Sequence, residues 1–300
     1  MKRPTLLRFG RRAANVLAVL GLLLGIYGAI YHLTTDPLAD ARAYYDAGAR
    51  LNAGLPLYVA LEHSEVPGAY LYPPLLAIVF RPLALLPYEV AAVLWGAVIV
   101  AATVLTFVRL GVDRTVLIVA GWLALPILWT VTIGQAQALV TLLLAIGAPW
   151  GVAIAANIKL FPALVAVYWV GRREWRRLGV FAAWMVGLLA VQFILEPTAT
   201  VDYVDFLRSQ QVGDVNNLSP FAFSPVLWAV LVAGIGLAAL RLAPTRWGWA
   251  AAVVLSVLAA PRLLSYQLST LLAALGGPDV ARTSADPTDQ RRTGLDAADQ

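Results

Sequence analysis

Residues 34–76 of this chain have the sequence TTDPLADARAYYDAGARLNAGLPLYVALEHSEVPGAYLYPPLL. They follow an apolar run, 13–33, that is long enough to cross a bilayer. The stretch has paired tyrosines, a histidine, two arginines and five acidic residues, Asp36, Asp40, Asp46, Glu62 and Glu65. Connections between elements are usually short, so a long, polar and aromatic connection predicts a functional loop outside the cytoplasm.

The composition predicts a polytopic membrane protein. Apolar residues make up 60% and charged residues 13% of the 300 residues, and the mean hydropathy is +0.76. Because a membrane-spanning helix needs roughly 20 apolar residues, the apolar runs allow about eight to ten membrane helices, some too short to cross alone. We therefore expect an all-α, polytopic membrane helix bundle whose external first loop carries short interfacial helices.

Missing residue types and motifs argue against several function classes. The chain has no cysteine and two histidines, which removes disulfides and thiol nucleophiles and argues against a His/Cys metal centre. It lacks the phosphate-binding glycine loop, the dinucleotide-binding G-x-G-x-x-G and the hydrolase G-x-S-x-G. The net charge of +5 comes from cations at helix ends, so it indicates membrane topology and no nucleic-acid partner.

The positions of the cations predict a topology with the N-terminus in the cytoplasm. Basic clusters lie at the N-terminus and at 109–114, 172–177, 241–246 and 282–292, and one threading puts all of them in the cytoplasm. Its helices are 13–33, 89–108, 115–132, 136–149, 151–159, 160–170, 178–195, 225–240, 247–260 and 263–275. Two polar loops, 34–76 and 196–224, then lie outside.

This threading divides the chain into a membrane domain, 1–275, and a disordered cytoplasmic tail, 276–300. The first helix is a retained signal anchor, because its apolar run is long and no convincing cleavage site follows it. Residues 72–87 form a re-entrant or interfacial segment. A rival threading makes them a full span and leaves the cations at 109–114 outside, but an arginine and four prolines make the segment a poor span.

Asp40 is the first candidate for chemistry. Residues 39–53 are predicted to form a short amphipathic helix ended by a glycine, and Asp40 and Tyr44 share one of its faces. On the plainer interpretation Asp40 is the N-cap, and Asp46 and Arg50 form a surface ion pair. On the other, Asp40 is a general base at the membrane surface with aromatic neighbours that stack on a sugar or lie at the headgroup level. The candidate sugar-binding aromatics are Tyr44, Tyr45 and Tyr72.

Lys159 is the second candidate, because it lies between two apolar half-helices and Pro162 breaks the helix beside it. An ionisable residue at such a place is costly and is a functional candidate by default. A compact ammonium suits a phosphate at the membrane edge, and the alternative is snorkelling to the nearest interface.

Further candidates lie at other external helix ends. Gln135 and Gln137 could hydrogen-bond sugar hydroxyls or cap helix ends. Arg262, with Tyr266 one turn on, could contact a second phosphate oxygen, although an interfacial arginine is the commoner explanation. Asn217 belongs to a turn, 216–220, whose signal for polar contacts is weak.

An ordered set of motifs resembles a known family. These are Asp40-x-x-x-Tyr44-Tyr45-x-Ala47-Gly48, Gly54-x-Pro56-Leu57-Tyr58, Tyr72-Pro73-Pro74-Leu75, Leu85-Leu86-Pro87, Trp95, Gly134-Gln135 and Ile158-Lys159-Leu160-x-Pro162. The set resembles the family-87 glycosyltransferases of the GT-C superfamily, and most of all those that use polyprenyl-phosphate mannose. The similarity runs from about residue 13 to residue 275 and implies a GT-C-like fold.

The resemblance implies an inverting transfer of a hexose, with mannose the expected sugar, from a polyprenyl-phosphate donor to a lipid or glycolipid acceptor outside the cytoplasm. Asp40 falls on the family's loop aspartate and would take the proton of the acceptor hydroxyl. Lys159 and Arg262 would stabilise the leaving phosphate, and no cofactor is implied. Two alternatives remain: a lipid or sugar transporter or flippase, which also uses broken helices and a membrane-embedded lysine, and an inactive lipid-binding relative.

Overall fold

A computed structural model describes residues 3–58, 69–209 and 216–278 of the protein. All regular secondary structure in these three ranges is helical, which confirms the expected all-α class. Three parts of the sequence interpretation lie outside the described residues: the stretch of the first loop with Glu62 and Glu65, residues 210–215 of the second polar loop, and the tail beyond residue 278.

Thirteen α-helices and four 3-10 segments make up the described residues. The helices are α1 Arg3–Thr35, α2 Ala39–Asn52, α3 Pro74–Phe80, α4 Tyr88–Leu110, α5 Arg114–Trp122, α6 Ala124–Thr132, α7 Gln137–Ile146, α8 Pro149–Ile158, α9 Val167–Gly171, α10 Trp175–Leu195, α11 Pro197–Ser209, α12 Pro225–Leu242 and α13 Gly248–Leu258. The 3-10 segments are Leu83–Leu85, Phe161–Ala166, Pro220–Ala222 and Ser265–Leu275.

Four described helices are long and apolar enough to cross a membrane: α1, α4, α10 and α12. The pair α5 and α6 adds a fifth span if it is counted as one, with a bend of 69° between its halves. The other apolar helices, α7, α8, α13 and the stretch Phe161–Gly171, are shorter. Among the described residues, the four long helices, the bent pair and the four shorter apolar helices together match the expected eight to ten membrane helices, some of them too short to cross alone.

Glycine and proline account for two of these breaks. Gly147 ends α7 with a φ of 71°, and Pro149 starts α8 in the first-turn position that suits proline. At the other end of α8 the backbone of Lys159 is extended, and the chain continues as a 3-10 segment that contains Pro162. The expected break between 151–159 and 160–170 is thus confirmed, and it presents the Lys159 side chain at a helix end.

The short helices form the core, and the long ones surround it. Few residues of α1, α10 and α12 are buried, so their apolar surfaces face outwards. Close contact between α1 and the α5–α6 pair depends on glycine. A Cβ on Gly21 would lie 2.3 Å from the carbonyl oxygen of Gly121. Small residues at such crossings let two backbones approach, which is how membrane helices commonly associate.

Residues 72–87, expected to be a re-entrant or interfacial segment and not a span, hold the seven-residue helix α3 and a 3-10 turn, both too short for a span. The structure corrects two other details of the expected elements. The second polar loop, 196–224, contains a regular helix, α11, of 13 residues. The last expected helix, 263–275, is a 3-10 segment from Ser265.

Candidate active site

Asp40 is fixed in place by two helix ends that satisfy each other's backbone groups. The N–H groups of Leu38, Asp40 and Ala41 at the start of α2 donate to the carbonyls of Thr132 and Ile133 at the end of α6, at 3.0, 3.1 and 3.3 Å. A helix start has unpaired donors and a helix end has unpaired acceptors, so the match removes a cost from both. It also brings Asp40 against the turn that follows α6.

Asp40 is not the N-cap of α2. Leu38 takes that position with a left-handed backbone, φ 56°, and makes no side-chain cap. The N-cap interpretation is wrong because α2 starts at Ala39, so Asp40 already lies in the first turn of the helix. The Asp40 side chain is thereby left for other contacts.

Gln135 holds the Asp40 carboxylate. The preceding residue, Gly134, has a φ of 68°, and a Cβ there would lie 2.9 Å from the Cβ of Ala41. This tight turn aims the fully buried Gln135 side chain at α2. Its Nε2 donates to Asp40 Oδ2 at 3.0 Å and to the Tyr72 hydroxyl at 3.0 Å.

Tyr44 and Tyr72 complete the polar cluster around Gln135. The Tyr44 hydroxyl donates a short hydrogen bond to Gln135 Oε1. The two tyrosine rings meet edge to face with centroids 5.3 Å apart. Asp40, Tyr44, Tyr72 and Gln135, which sequence reasoning proposed separately, therefore form one connected site.

Lys159 is the cation of the site. Its Nζ lies over the rings of Tyr72 and Tyr266, 5.2 and 4.8 Å from their centroids. The Nζ atom is buried and has no hydrogen-bond partner among the described residues. Ring faces attract a cation without using its donors, so the three N–H donors of Lys159 remain free for a ligand. Snorkelling does not describe this side chain, because its charged end is buried against aromatic rings.

Asp40 and Lys159 interact across the site without an ion-pair contact among the described residues. Burial raises the pKa of Asp40 from 3.8 to about 6, while the charge of Lys159 and the hydrogen bond from Gln135 lower it and the charge of Asp36 raises it. Desolvation is therefore the dominant effect. A carboxyl with this pKa is ionised at neutral pH and is a stronger base than an ordinary aspartate.

A cavity of about 230 Å³ lies next to this cluster. Its polar lining comes from Tyr72, Lys159, Arg262, Tyr266 and Gln267, and its apolar lining includes Leu71, Leu160, Phe161, Leu207 and Leu264. Tyr203 and Leu207 reach it from α11. The helix in the second loop thus forms one wall of a pocket that combines two cations with apolar surface.

The turn at Asn217 positions Arg262. Asn217 Oδ1 accepts the N–H of Leu263 at 2.9 Å, and Nδ2 donates to the carbonyl of Pro261 at 3.1 Å. The N–H of Leu218 donates to the Leu263 carbonyl at 2.8 Å. A motif with a weak sequence signal therefore holds the backbone on both sides of Arg262.

Two residues expected to bind substrate have other hydrogen-bond partners. The Tyr45 hydroxyl donates to the Leu86 carbonyl at 2.7 Å, on the face of α2 opposite Asp40. Gln137 is buried and donates to Thr270 Oγ1. It shares a small cavity of about 30 Å³ with Lys159. The helical period separates Tyr45 from Tyr44 by about 100°, which explains why adjacent tyrosines face different environments.

The expected ion pair on α2 is also different. Asp46 pairs with Arg42 at 3.0 Å, whereas Arg50 Nε donates to the Pro56 carbonyl at 2.8 Å. Both arginines are four positions from Asp46, so the spacing allowed either pair.

Gln192 and Asn157 form a buried link behind the candidate site that sequence reasoning missed. Gln192 Nε2 donates to Asn157 Oδ1 at 2.7 Å, and its Oε1 accepts the N–H of Leu75 at 3.0 Å. This buried link ties α10 and α8 to the segment that carries Tyr72. The available signal was an amide side chain inside an apolar run, since a buried amide requires partners.

Fold and site together define a polytopic, all-helical membrane protein with a buried acid–amide–tyrosine cluster beside a cation-bearing apolar cavity. The family model described as Glycosyltransferase family 87 matches residues 70–277, and the chain belongs to this family. The matched region contains Tyr72, Gln135, Lys159 and Arg262, and Asp40 lies before it.

Two curated relatives have the printed name polyprenol-phosphate-mannose-dependent alpha-(1-2)-phosphatidylinositol pentamannoside mannosyltransferase. The protein from Mycolicibacterium smegmatis is 28% identical over 235 residues, which cover 71% of this chain and 56% of the relative. The protein from Mycobacterium tuberculosis is 28% identical over 239 residues, with 71% and 54% covered. The chain thus spans little more than half the length of these relatives. No solved structure was found to match it.

Proposed function

We propose that the protein is a membrane glycosyltransferase that moves a hexose from a polyprenyl-phosphate donor to a lipid or glycolipid acceptor, with Asp40 as general base. One observation carries the proposal: Asp40 is held by Gln135 and faces Lys159 without contacting it. A direct ion pair would use up the carboxylate, whereas this arrangement keeps it charged and open. Family membership supports the reaction class.

The proposed reaction is a single displacement with inversion. The acceptor hydroxyl oxygen attacks the anomeric carbon of the sugar, and its proton passes to Asp40. The new carbon–oxygen bond forms as the bond to the phosphate oxygen breaks, and polyprenyl phosphate leaves with the electron pair. One base is sufficient, because the leaving phosphate is stable without protonation.

The cavity supports a lipid phosphate as the leaving group. Lys159 offers three unused donors, and Arg262 lines the same cavity. Cationic groups placed where negative charge develops are among the largest contributions to catalysis. The apolar residues around them suit the first isoprene units of a polyprenyl chain. Mannose is the proposed sugar because the names of both relatives specify it.

The reaction is proposed to take place outside the cytoplasm of a multi-pass cell-membrane protein with a cytoplasmic N-terminus. The support is the distribution of cations along the sequence. Most arginines lie at the ends of helices that the threading places in the cytoplasm. Asp40, Lys159 and Arg262 all fall on the opposite side of that threading.

The test is a transfer assay with membranes that contain the protein and radiolabelled polyprenyl-phosphate mannose. Asp40→Asn is expected to lower the labelling of a lipid acceptor by about 100-fold or more, because a general base contributes roughly 10²–10⁴ to rate. Asp46→Asn is the matched control, since it removes an exposed carboxylate from the same helix. It should stay within about twofold of the wild type.

Other outcomes would favour the alternatives. Equal labelling by wild type and Asp40→Asn would show that Asp40 is not the base. Movement of a lipid or sugar across vesicles, without any labelled product, would favour a transporter. Binding of the donor without transfer or transport would favour an inactive lipid-binding relative.

A further inference from the structure

The direction of the hydrogen bonds at Tyr44 follows from one backbone group. The Tyr44 side chain is fully buried, and its hydroxyl oxygen lies 3.3 Å from the backbone nitrogen of Ala136. A backbone N–H can only donate, so the phenol oxygen accepts there. The hydroxyl hydrogen is then free for an acceptor, and it points to Gln135. The atom of Gln135 that receives it must be an acceptor, the amide oxygen Oε1.

This direction fixes the orientation of the Gln135 amide. With Oε1 turned to Tyr44, Nε2 faces Asp40 Oδ2 and the Tyr72 hydroxyl, both at 3.0 Å. An amide nitrogen has two hydrogens and accepts none, so these two contacts use both of them. Asp40 Oδ2 is therefore occupied by a donor. A proton that arrives at Asp40 would meet that donor on Oδ2, whereas no hydrogen-bond donor contacts Oδ1 among the residues that the structure describes.

We propose that Tyr44 is a positioning residue that acts through Gln135: it orients the amide so that Asp40 Oδ2 is held and Asp40 Oδ1 receives the proton of the acceptor hydroxyl. The identification of the proton source as an acceptor hydroxyl rests on the proposed function, but the hydrogen-bond chain does not. Its order is Ala136 N–H, Tyr44 hydroxyl, Gln135 amide, Asp40 carboxylate.

The packing of Tyr44 supports a positioning role over contact with a sugar. Its ring is enclosed by Tyr72, Phe80 and Trp95, with centroid distances of 5.3, 5.5 and 5.9 Å in edge-to-face arrangements. No face of the ring is open to a ligand, since the side chain has no exposed surface. The sequence expectation that Tyr44 binds substrate is replaced by a role one step behind Asp40.

The experiment measures the protonation of Asp40 directly. Dicyclohexylcarbodiimide enters membranes and modifies protonated carboxyls, and mass spectrometry of the modified protein locates the label. The pH at which Asp40 is half-labelled reports its proton affinity whether or not the protein transfers a sugar. Asp40→Asn identifies the specific signal. The titratable groups that interact with Asp40 are Asp36, Tyr44, Tyr72, Lys159 and Tyr266. Apart from the change at Tyr44 itself, the variants described below keep all of these groups.

Tyr44→Phe keeps the ring and removes the hydroxyl. Without its partner the Gln135 amide is no longer held, and the hydrogen bond that favours ionised Asp40 is weakened. The labelling midpoint should move upwards by about one pH unit, a tenfold change in proton affinity. Tyr45→Phe is the matched control: it removes a hydroxyl from the next residue, whose partner is the Leu86 carbonyl outside the site. Its midpoint should equal that of the wild type.

A second variant covers the case in which Tyr44→Phe does not reach the membrane. Gln135→Met has a similar volume and lacks the amide, so it should raise the midpoint at least as much. An unchanged midpoint in either folded variant would overturn the proposal. In the transfer assay Tyr44→Phe should lower kcat about tenfold, with KM for the donor nearly constant. A shifted midpoint in a protein that transfers nothing would reject the proposed function and leave the hydrogen-bond chain intact.

Discussion

Helix α2 carries an acid and a tyrosine on each of two opposite faces, and each face has a cation nearby. On the outer face Asp46 contacts Arg42 at 3.0 Å, and about half of each side chain is exposed. Tyr45 and Tyr88 lie beside Arg42, with its guanidinium 4.7 Å from the centroid of the Tyr88 ring. The charges on this face are paired with each other and solvated by water, so the outer acid has no unsatisfied interaction that a substrate could supply.

On the inner face the same kinds of group are kept apart. Asp40 binds an amide, and Lys159 lies over the rings of Tyr72 and Tyr266 instead of contacting the acid. Both charges are buried and incompletely paired, which is costly in stability. Such arrangements occur at functional sites, where the unused donors and acceptors serve a ligand. The residue types on the two faces are nearly the same. The faces differ in whether the acid and the cation are in direct contact.

Neutralising the cation on each face should give the largest difference in transfer activity between the two faces. Lys159→Gln is expected to lower kcat/KM for polyprenyl-phosphate mannose by about 100-fold, because it removes a charge aimed at the leaving phosphate. Arg42→Gln, on the outer face, should change it by less than about twofold. Initial rates over a range of donor concentrations in membranes would measure both. If Lys159→Gln kept more than half of the activity, the inner cation would have no catalytic role and the contrast would fail.

The two acids should differ in their effect on the pH dependence of the transfer rate. Since burial raises the pKa of Asp40 to about 6, the base is lost by protonation as the pH falls through that value. The transfer rate should therefore fall about tenfold for each pH unit below roughly 6. Asp46→Asn should leave this profile in place. Rates between pH 4.5 and 8 would test the expectation, and constant activity down to pH 5 would contradict it.

The sequence was sufficient for the class of fold and for the separate members of the site. Apolar runs and basic clusters predicted an all-helical membrane protein, and the four-residue spacing put Asp40 and Tyr44 on one face. Pro162 predicted the break that places Lys159 at a helix end. Each of these follows from local chemistry, in which the residue itself or its neighbours in sequence decide the outcome.

Long-range packing decided what the sequence could not show. The carbonyls of α6 cap α2, so Asp40 is free for Gln135, which is 95 positions away. Nothing near Asp40 in the sequence indicates that partner. Gln192 likewise meets Asn157 across 35 positions. Periodicity gave little help in the short apolar helices, because a helix that is hydrophobic all round does not show which face is inside.

The smallest expected effect concerns the stability of the outer pair. Arg42 and Asp46 are four residues apart on a helix and are about half exposed, so their interaction should contribute only about 0.3–0.5 kcal/mol to the free energy of unfolding. A double-mutant cycle of Arg42→Ala, Asp46→Ala and the double variant, unfolded in mixed detergent micelles, measures this term. Salt near 0.5 M should reduce it further. A coupling above about 1.5 kcal/mol would show that the outer pair is shielded from water, and it would remove the physical reason for treating the two faces of α2 as different.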